Sequence, residues 1–187
     1  MTALKVDPTQ AALLVVDVQD RLAAVVDGRE RCQKNVLVLI ELARRSRMPV
    51  VVSEQYPRGL GPTVAPVAEA LAAPGLEVFR FEKVEFGCPE APGFAPIWNE
   101  LRREQWLVTG MEAHICVYQS ARSLVERGAR VQVVRDAVAS RTPENLAVGL
   151  DLISRAGGVV TSTETVVFDV LGRAGTDDFK AMSRLIK

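Results

Sequence analysis

The sequence predicts an α/β protein of three layers, with a mostly parallel six-stranded sheet between two layers of helices. Three observations point there. Short apolar or β-branched runs recur at 11–17, 50–54, 77–80, 105–109, 131–134 and 159–162. Each is followed by a stretch with helical spacing, and strands that alternate with helices pair in parallel. The first run, AALLVVD, is apolar at consecutive positions, which suits a strand covered on both faces. The alternation shows no internal repeat, low-complexity tract or linker, so residues 1–187 are expected to form one domain.

In chain order, the first strand ends on Asp17. A helix starts at about Arg29, with Val36, Leu37, Leu39, Ile40 and Ala43 on its apolar face. Arg44, Arg45 and Arg47 give it a cationic end that suits the helix dipole, and Pro49 stops it. Val50–Glu54 is the second strand. The following QYPRGLGPT is read as a loop at the same sheet edge as Asp17. A short helix spans Pro62–Leu71 and ends at Pro74-Gly75. Glu77–Arg80 is a weaker third strand, with Lys83 just beyond it. Residues 94–104 are expected to be helical, with Ile97, Trp98 and Leu101 inward.

The fourth strand, 105–109, leads into GMEAHICVYQSA (110–121) and a helix to Arg127, with Gly128 as its C-cap. The fifth strand covers Val131–Val134, with Asp136 ending it. Thr142 then caps a helix that has Pro143 in its first turn and stops at Gly157-Gly158. Val159–Ser162 is the sixth strand. Thr163 is expected to cap the next helix, and a last helix covers 177–185.

Composition narrows the function classes. Lys+Arg and Asp+Glu both number 23, so there is no basic excess of the kind nucleic-acid binders carry. No apolar run reaches membrane-spanning length and no signal-peptide core is present, so a cytoplasmic protein without a membrane role is expected. Three widely spaced cysteines do not make a disulfide framework. A single histidine, His114, excludes a histidine-rich metal centre, although carboxylate-bound magnesium stays open. Neither G-x-G-x-x-G nor a P-loop follows a strand. No metal or cofactor is expected, and the partner is a small-molecule substrate.

Cys116 lies where the fourth strand turns into a helix, at the sheet edge where ligands bind in open α/β folds. The positive helix end would lower its pKa toward the thiolate. Asp17 and Lys83 share that edge. Asp17 could take the thiol proton, and Lys83 could hold Asp17 and favour the thiolate by its charge. Cys116 would then attack a carbonyl carbon, with backbone N–H groups at the helix start receiving the oxyanion.

At these residues the chain resembles a family. DVQDRL from Asp17, K-x-x-F-G-C from Lys83 and G-x-x-x-x-x-C-V around Cys116 are similar to the isochorismatase-like cysteine hydrolases. SEQYPRGLGPT and GMEAHICVYQSA resemble the isochorismatase-domain-containing subgroup. The resemblance implies a Rossmann-like, isochorismatase-like hydrolase fold and a catalytic triad of Asp17, Lys83 and Cys116. It implies a non-proline cis peptide at Met111–Glu112, with the N–H groups of Glu112 and Cys116 forming the oxyanion hole. It implies hydrolysis of small amides, carbamoyl or ureido compounds, and a homo-oligomer whose neighbouring subunits border the pocket. Family nicotinamidases carry a D-x-H…H metal site after the second strand. Here that stretch is SEQYPRG, so no metal is expected.

Gln19, Glu54, Gln55, Tyr56, Phe86 and His114 are candidate pocket residues, and Cys32 and Cys88 are read as structural. The leading expectation is a metal-independent cysteine hydrolase of a small-molecule C–N bond, acting through a Cys116 thioester. The alternative is a catalytically silent scaffold that keeps the pocket. A third reading is a thiol redox sensor, with Cys88 resolving an oxidised Cys116.

Overall fold

A computed structural model describes residues 4–186; Met1–Ala3 and Lys187, which the expected domain over 1–187 includes, lie outside the described residues. Its strands are β1 (Ala11–Val16), β2 (Val50–Gln55), β3 (Val78–Lys83), β4 (Gln105–Met111), β5 (Arg130–Ala139) and β6 (Val159–Thr161). Its helices are α1 (Asp20–Ala23), α2 (Arg29–Ser46), α3 (Pro57–Leu60), α4 (Ala65–Ala70), α5 (Phe94–Leu101), α6 (Tyr118–Glu126), α7 (Pro143–Arg155), α8 (Thr163–Leu171) and α9 (Asp177–Leu185). The sheet runs β3-β2-β1-β4-β5-β6 and every pairing is parallel. In this order the chain reverses direction across the sheet between β1 and β4, where doubly wound folds open a ligand crevice.

The two helical layers follow from the pleat of β1. Leu13 and Val15 face a core with Val36, Leu39 and Ala43 of α2, Val166 and Val167 of α8 and Met182 of α9. Leu14 and Val16 face the other core, with Phe94 of α5, Leu124 of α6 and Ile153 of α7. Side chains alternate across a strand, so a central strand covered on both sides is apolar throughout. Every residue of β1 is buried.

Several boundaries differ from the sequence expectation, each for a physical reason. β3 includes Lys83, because Gln55 pairs with Lys83 at the strand end. This is an edge strand with alternating exposed charges, Arg80 and Glu82, so its apolar signal is weak. β5 does not stop at Asp136. A register shift between Val108 and Gly110 lets it pair again, Gly110 with Val138 and Met111 with Ala139.

α8 is capped by Ser162, whose side chain accepts from the Thr165 N–H, and not by Thr163. The Thr163 amide and hydroxyl instead donate to Asp136 at 2.8 and 2.9 Å. α5 ends at Leu101, where Arg102 adopts a left-handed conformation, φ +47°. α4 begins at Ala65, while Pro57–Leu60 of the expected loop winds into a single turn of helix.

Candidate active site

Asp17 follows β1 directly and has a left-handed backbone, φ +50°, unusual outside glycine. Both its carboxylate oxygens are held. Ser53 Oγ donates to Oδ1 at 2.7 Å and Lys83 Nζ to Oδ2 at 2.7 Å. The side chains of Asp17 and Lys83 are fully buried. Lys83 sits two strands from β1, so it reaches across β2. There Gln55 Oε1 accepts a second bond from Nζ at 2.7 Å, and the carbonyls of Phe86 and Glu85 accept at 3.1 and 3.3 Å. Ser53 and Gln55 lie two apart on β2. The ammonium is therefore surrounded by acceptors, as burial of a charge requires.

Cys116 arrives from the other side of the β1/β4 junction. The Met111–Glu112 peptide is cis, and Ala113–Val117 winds as a π-helical turn before α6 begins at Tyr118. So Cys116 lies within a π turn rather than on the first turn of an α-helix. Such turns are rare and concentrate at functional sites. Two glycines permit the geometry. A Cβ on Gly110, φ +113°, would lie 2.0 Å from the Val16 carbonyl oxygen. A Cβ on Gly149 of α7 would lie 2.7 Å from the backbone of Ala113 and His114.

Cys116 as a residue is 6% exposed, and its thiol interacts with the Asp17 carboxyl. Asp17, Lys83 and Cys116, distant in sequence, thus meet at one sheet edge. Cys88 joins them, with its thiol 3.5 Å from Ser53 Oγ and its N–H on Ser120 Oγ at 2.9 Å.

Electrostatics in this cluster run against the expected thiolate. Burial pushes the Cys116 thiol well above its ordinary value, and the Asp17 charge adds to this; Lys83 opposes them without prevailing. Burial also lifts Asp17 above the usual carboxylate range, with Lys83 opposing. For Lys83 burial, the largest single influence, favours the neutral amine, but the Asp17 charge and hydrogen bond together with Cys88 and Cys116 outweigh it and hold the ammonium above its ordinary value. Cys88 is pushed up to about 11 by burial. The resting arrangement is a thiol beside a carboxylate–ammonium pair.

The other candidate residues fall into two groups. Gln19 is fully buried and ties loops together: its amide donates to the carbonyls of Gln55 (3.1 Å) and Gly61 (2.6 Å), and its Oε1 accepts from Gln55 N–H at 2.8 Å. Glu54 accepts from the amide and hydroxyl of Thr63 at 2.7 and 2.6 Å. Both side chains face structural partners. Gln55, by contrast, contacts Lys83 directly. Tyr56 and Phe86 stand exposed beside the cluster. A cavity of about 480 Å³ at that rim is lined by Tyr56, Lys83, Val84 and Glu85. His114 Nδ1 pairs with Ser140 Oγ at 3.1 Å.

The Glu112 carboxylate accepts from the backbone N–H and side chain of Arg141 at 2.9 and 3.1 Å. Sequence reasoning passed over Ser53, Ser120 and Arg141. Only Ser53 had a signal, a polar residue on the same strand face as Gln55. Among the described residues no group of three or more His, Cys, Asp or Glu side chains is placed to hold a metal ion.

Comparison with known proteins identifies the family and the fold. The profile of the Isochorismatase domain matches residues 11–165. The secreted isochorismatase effector Isc1 of Phytophthora sojae is 33% identical over 96% of this chain and 86% of its own. Isochorismatase domain-containing protein 2 of Bos taurus is 32% identical over 98% of this chain and 86% of its own. The structure of the MAR1 ribonuclease from Caenorhabditis elegans superposes with a TM-score of 0.88 at 33% identity, covering 97% of this chain and 92% of that one. The YcaC gene product of Escherichia coli, described as an octameric hydrolase of unknown specificity, has the same fold, with a TM-score of 0.88 at 21% identity over 99% and 92% of the two chains. The chain belongs to the isochorismatase family, and its fold is that of the family's hydrolases.

Proposed function

We propose that this protein hydrolyses a small-molecule amide or related C–N bond through a thioester on Cys116, without a metal. The observation that carries the reading is the buried Asp17–Lys83 pair, closed at 2.7 Å, with the Cys116 thiol beside the same carboxylate. A fully buried charge pair that mainly served stability would gain little over apolar packing. Here it holds one carboxylate where it can take a thiol proton.

The steps follow from that geometry. The Cys116 proton passes to Asp17 as sulfur attacks the substrate carbonyl carbon, and the carbonyl pair moves to oxygen. The N–H groups of Glu112 and Cys116 receive that oxyanion. The C–N bond then breaks, and the leaving nitrogen takes the proton from Asp17. Water attacks the thioester and gives a proton to Asp17. The C–S bond breaks and the sulfur recovers that proton. Lys83 keeps its proton throughout and fixes the base. The raised pKa of Asp17 suits a group that gains and loses a proton in each half-reaction.

Phe86, Tyr56 and His114 border the approach to the cluster in this reading, and a homo-oligomer would add a neighbouring surface to the exposed rim. The low exposure of Cys116 also fits the rival reading of a silent scaffold. One panel separates the two: primary amides, ureido and carbamoyl compounds, and an RNA oligonucleotide for the activity in the name of the C. elegans neighbour. Turnover of a C–N substrate is expected, abolished in Cys116→Ala and Cys116→Ser with the fold kept. An acyl adduct on Cys116 should appear by mass spectrometry under rapid quench. No turnover across the panel, or turnover that survives Cys116→Ala, rejects the mechanism.

A further inference from the structure

The sheet edge opposite Cys116 carries a second concentration of charge. β4 and β5 start side by side there, with the Arg130 N–H donating to the Glu104 carbonyl at 2.8 Å. α5 and α6 end beside these strand starts. The residues that follow the two helices, Arg102, Arg103 and Arg127, therefore come together with Arg130. All four line a cavity of about 600 Å³, with Trp98 in its wall and Glu104 as the one lining carboxylate. That volume falls within the roughly 300–1,000 Å³ of small-molecule sites. The chain as a whole is balanced, 23 cationic residues against 23 acidic ones. This cavity is not.

Helix dipoles explain part of the arrangement, since cations stabilise helix C-termini. They leave the donors unexplained. A guanidinium has five N–H donors. Arg102 makes one bond, from Nε to the Asn99 carbonyl at 3.2 Å. Arg103 donates from Nη1 to the Thr9 carbonyl, and its Nε is buried with no partner among the described residues. Arg127 donates to the Pro89 carbonyl and lies 5.8 Å over the Trp98 ring, which limits its freedom. Arg130 donates to the exposed Glu104 carboxylate at 3.0 Å.

We infer that this cavity, lined by Arg102, Arg103, Arg127 and Arg130, binds a small polyanion bearing phosphate groups. Guanidinium forks match pairs of phosphate oxygens, and each such pair is stronger than a neutral hydrogen bond. Four cations facing one carboxylate leave room for several negative charges, so a polyphosphate fits better than a single anion. The neighbouring cavity that shares Arg130 sets Lys5 against Asp7 and Asp169, so the cationic excess does not continue there as the stripe a nucleic-acid backbone would need. The site lies at the far end of α6 from the Cys116 turn and is separate from the chemistry proposed there.

The test is calorimetric titration of the whole protein with tripolyphosphate at low ionic strength. One binding event is expected, weakening as sodium chloride is added. Arg102→Gln and Arg103→Gln should each lower affinity by about tenfold or more, and Arg102→Lys, which keeps the charge and loses the fork, should lose less. Arg184→Gln removes the same charge from α9, in the opposite helical layer, and should bind like the parent. Circular dichroism checks that each variant is folded, and Arg102 is exposed enough for its replacement to leave the core intact. Absence of binding, equal weakening in Arg184→Gln, or parent-like affinity in the Arg102→Gln and Arg103→Gln variants would overturn the inference.

Discussion

Cys116 carries a conflict between location and environment. Its place after a strand suggested a low-pKa thiol, yet burial and the Asp17 charge together hold it protonated. In the proposed mechanism the nucleophile is therefore made during the reaction, by transfer to Asp17, rather than stored at rest. Alkylation by iodoacetamide reports the thiolate fraction. Its rate at Cys116 should keep rising by about tenfold per pH unit through pH 9, where an ordinary thiol levels off. Asp17→Asn removes the second largest cause of the raised pKa. Alkylation of that variant at pH 8 should be faster, while turnover collapses for want of a base. A plateau below pH 9, or slower labelling in Asp17→Asn, would show a thiolate already present. The three residues Asp17, Lys83 and Cys116 were legible because each falls at a strand end. Ser53 and Gln55 were harder to read, because their roles depend on Lys83 crossing β2 to reach Asp17.

At the scale of elements, the π turn is a compromise between two helices. α6 must start after Cys116, while α7 must pack against the residues before it. Gly149 makes the second contact possible, since a Cβ there would meet backbone that cannot swing away. Gly149→Ala should cost about 1–3 kcal/mol by overpacking. It should also lower turnover, because the displaced residues, Ala113 and His114, lie between the amides of Glu112 and Cys116. Gly172→Ala is the comparison. Its Cβ would meet nothing, but its φ of +64° strains any L side chain. It should lower the melting temperature and leave turnover per folded molecule unchanged. Equal activity in both variants would dissociate the turn from catalysis. Sequence spacing located the strand-to-helix transition but not the winding within it. Helical periodicity does not distinguish one inserted residue, and the contact that enforces the turn comes from a helix thirty residues on.

At the scale of the whole molecule, alternating strands and helices predicted the layers, while the strand order that places β1 beside β4 depends on long-range pairing that no local pattern records. The same burial that shapes the site gives the protein a pH limit. Cys32, in the first turn of α2, is fully buried and donates to the Ala137 carbonyl at 3.2 Å; its pKa is raised from 9.0 to about 12 by burial. Cys88 and Cys116 shift in the same direction. A group whose folded pKa is raised holds its proton more tightly folded than unfolded. Its contribution is whole below the unfolded value, near 9, and is lost as pH rises toward the folded one. Each buried thiol should therefore remove roughly 1.4 kcal/mol of stability per pH unit above 9. Lys83 is raised from 10.5 and adds no loss until above that value. Guanidinium unfolding between pH 8 and 10.5 isolates the thiols. Cys32→Ser keeps the hydroxyl-sized donor to Ala137 and cannot titrate in this range. Whatever its stability at pH 8, it should lose about 2 kcal/mol less than the parent by pH 10.5. If parent and variant decline in parallel, the Cys32 thiol ionises as easily folded as unfolded, and burial is not what sets the alkaline limit of this fold.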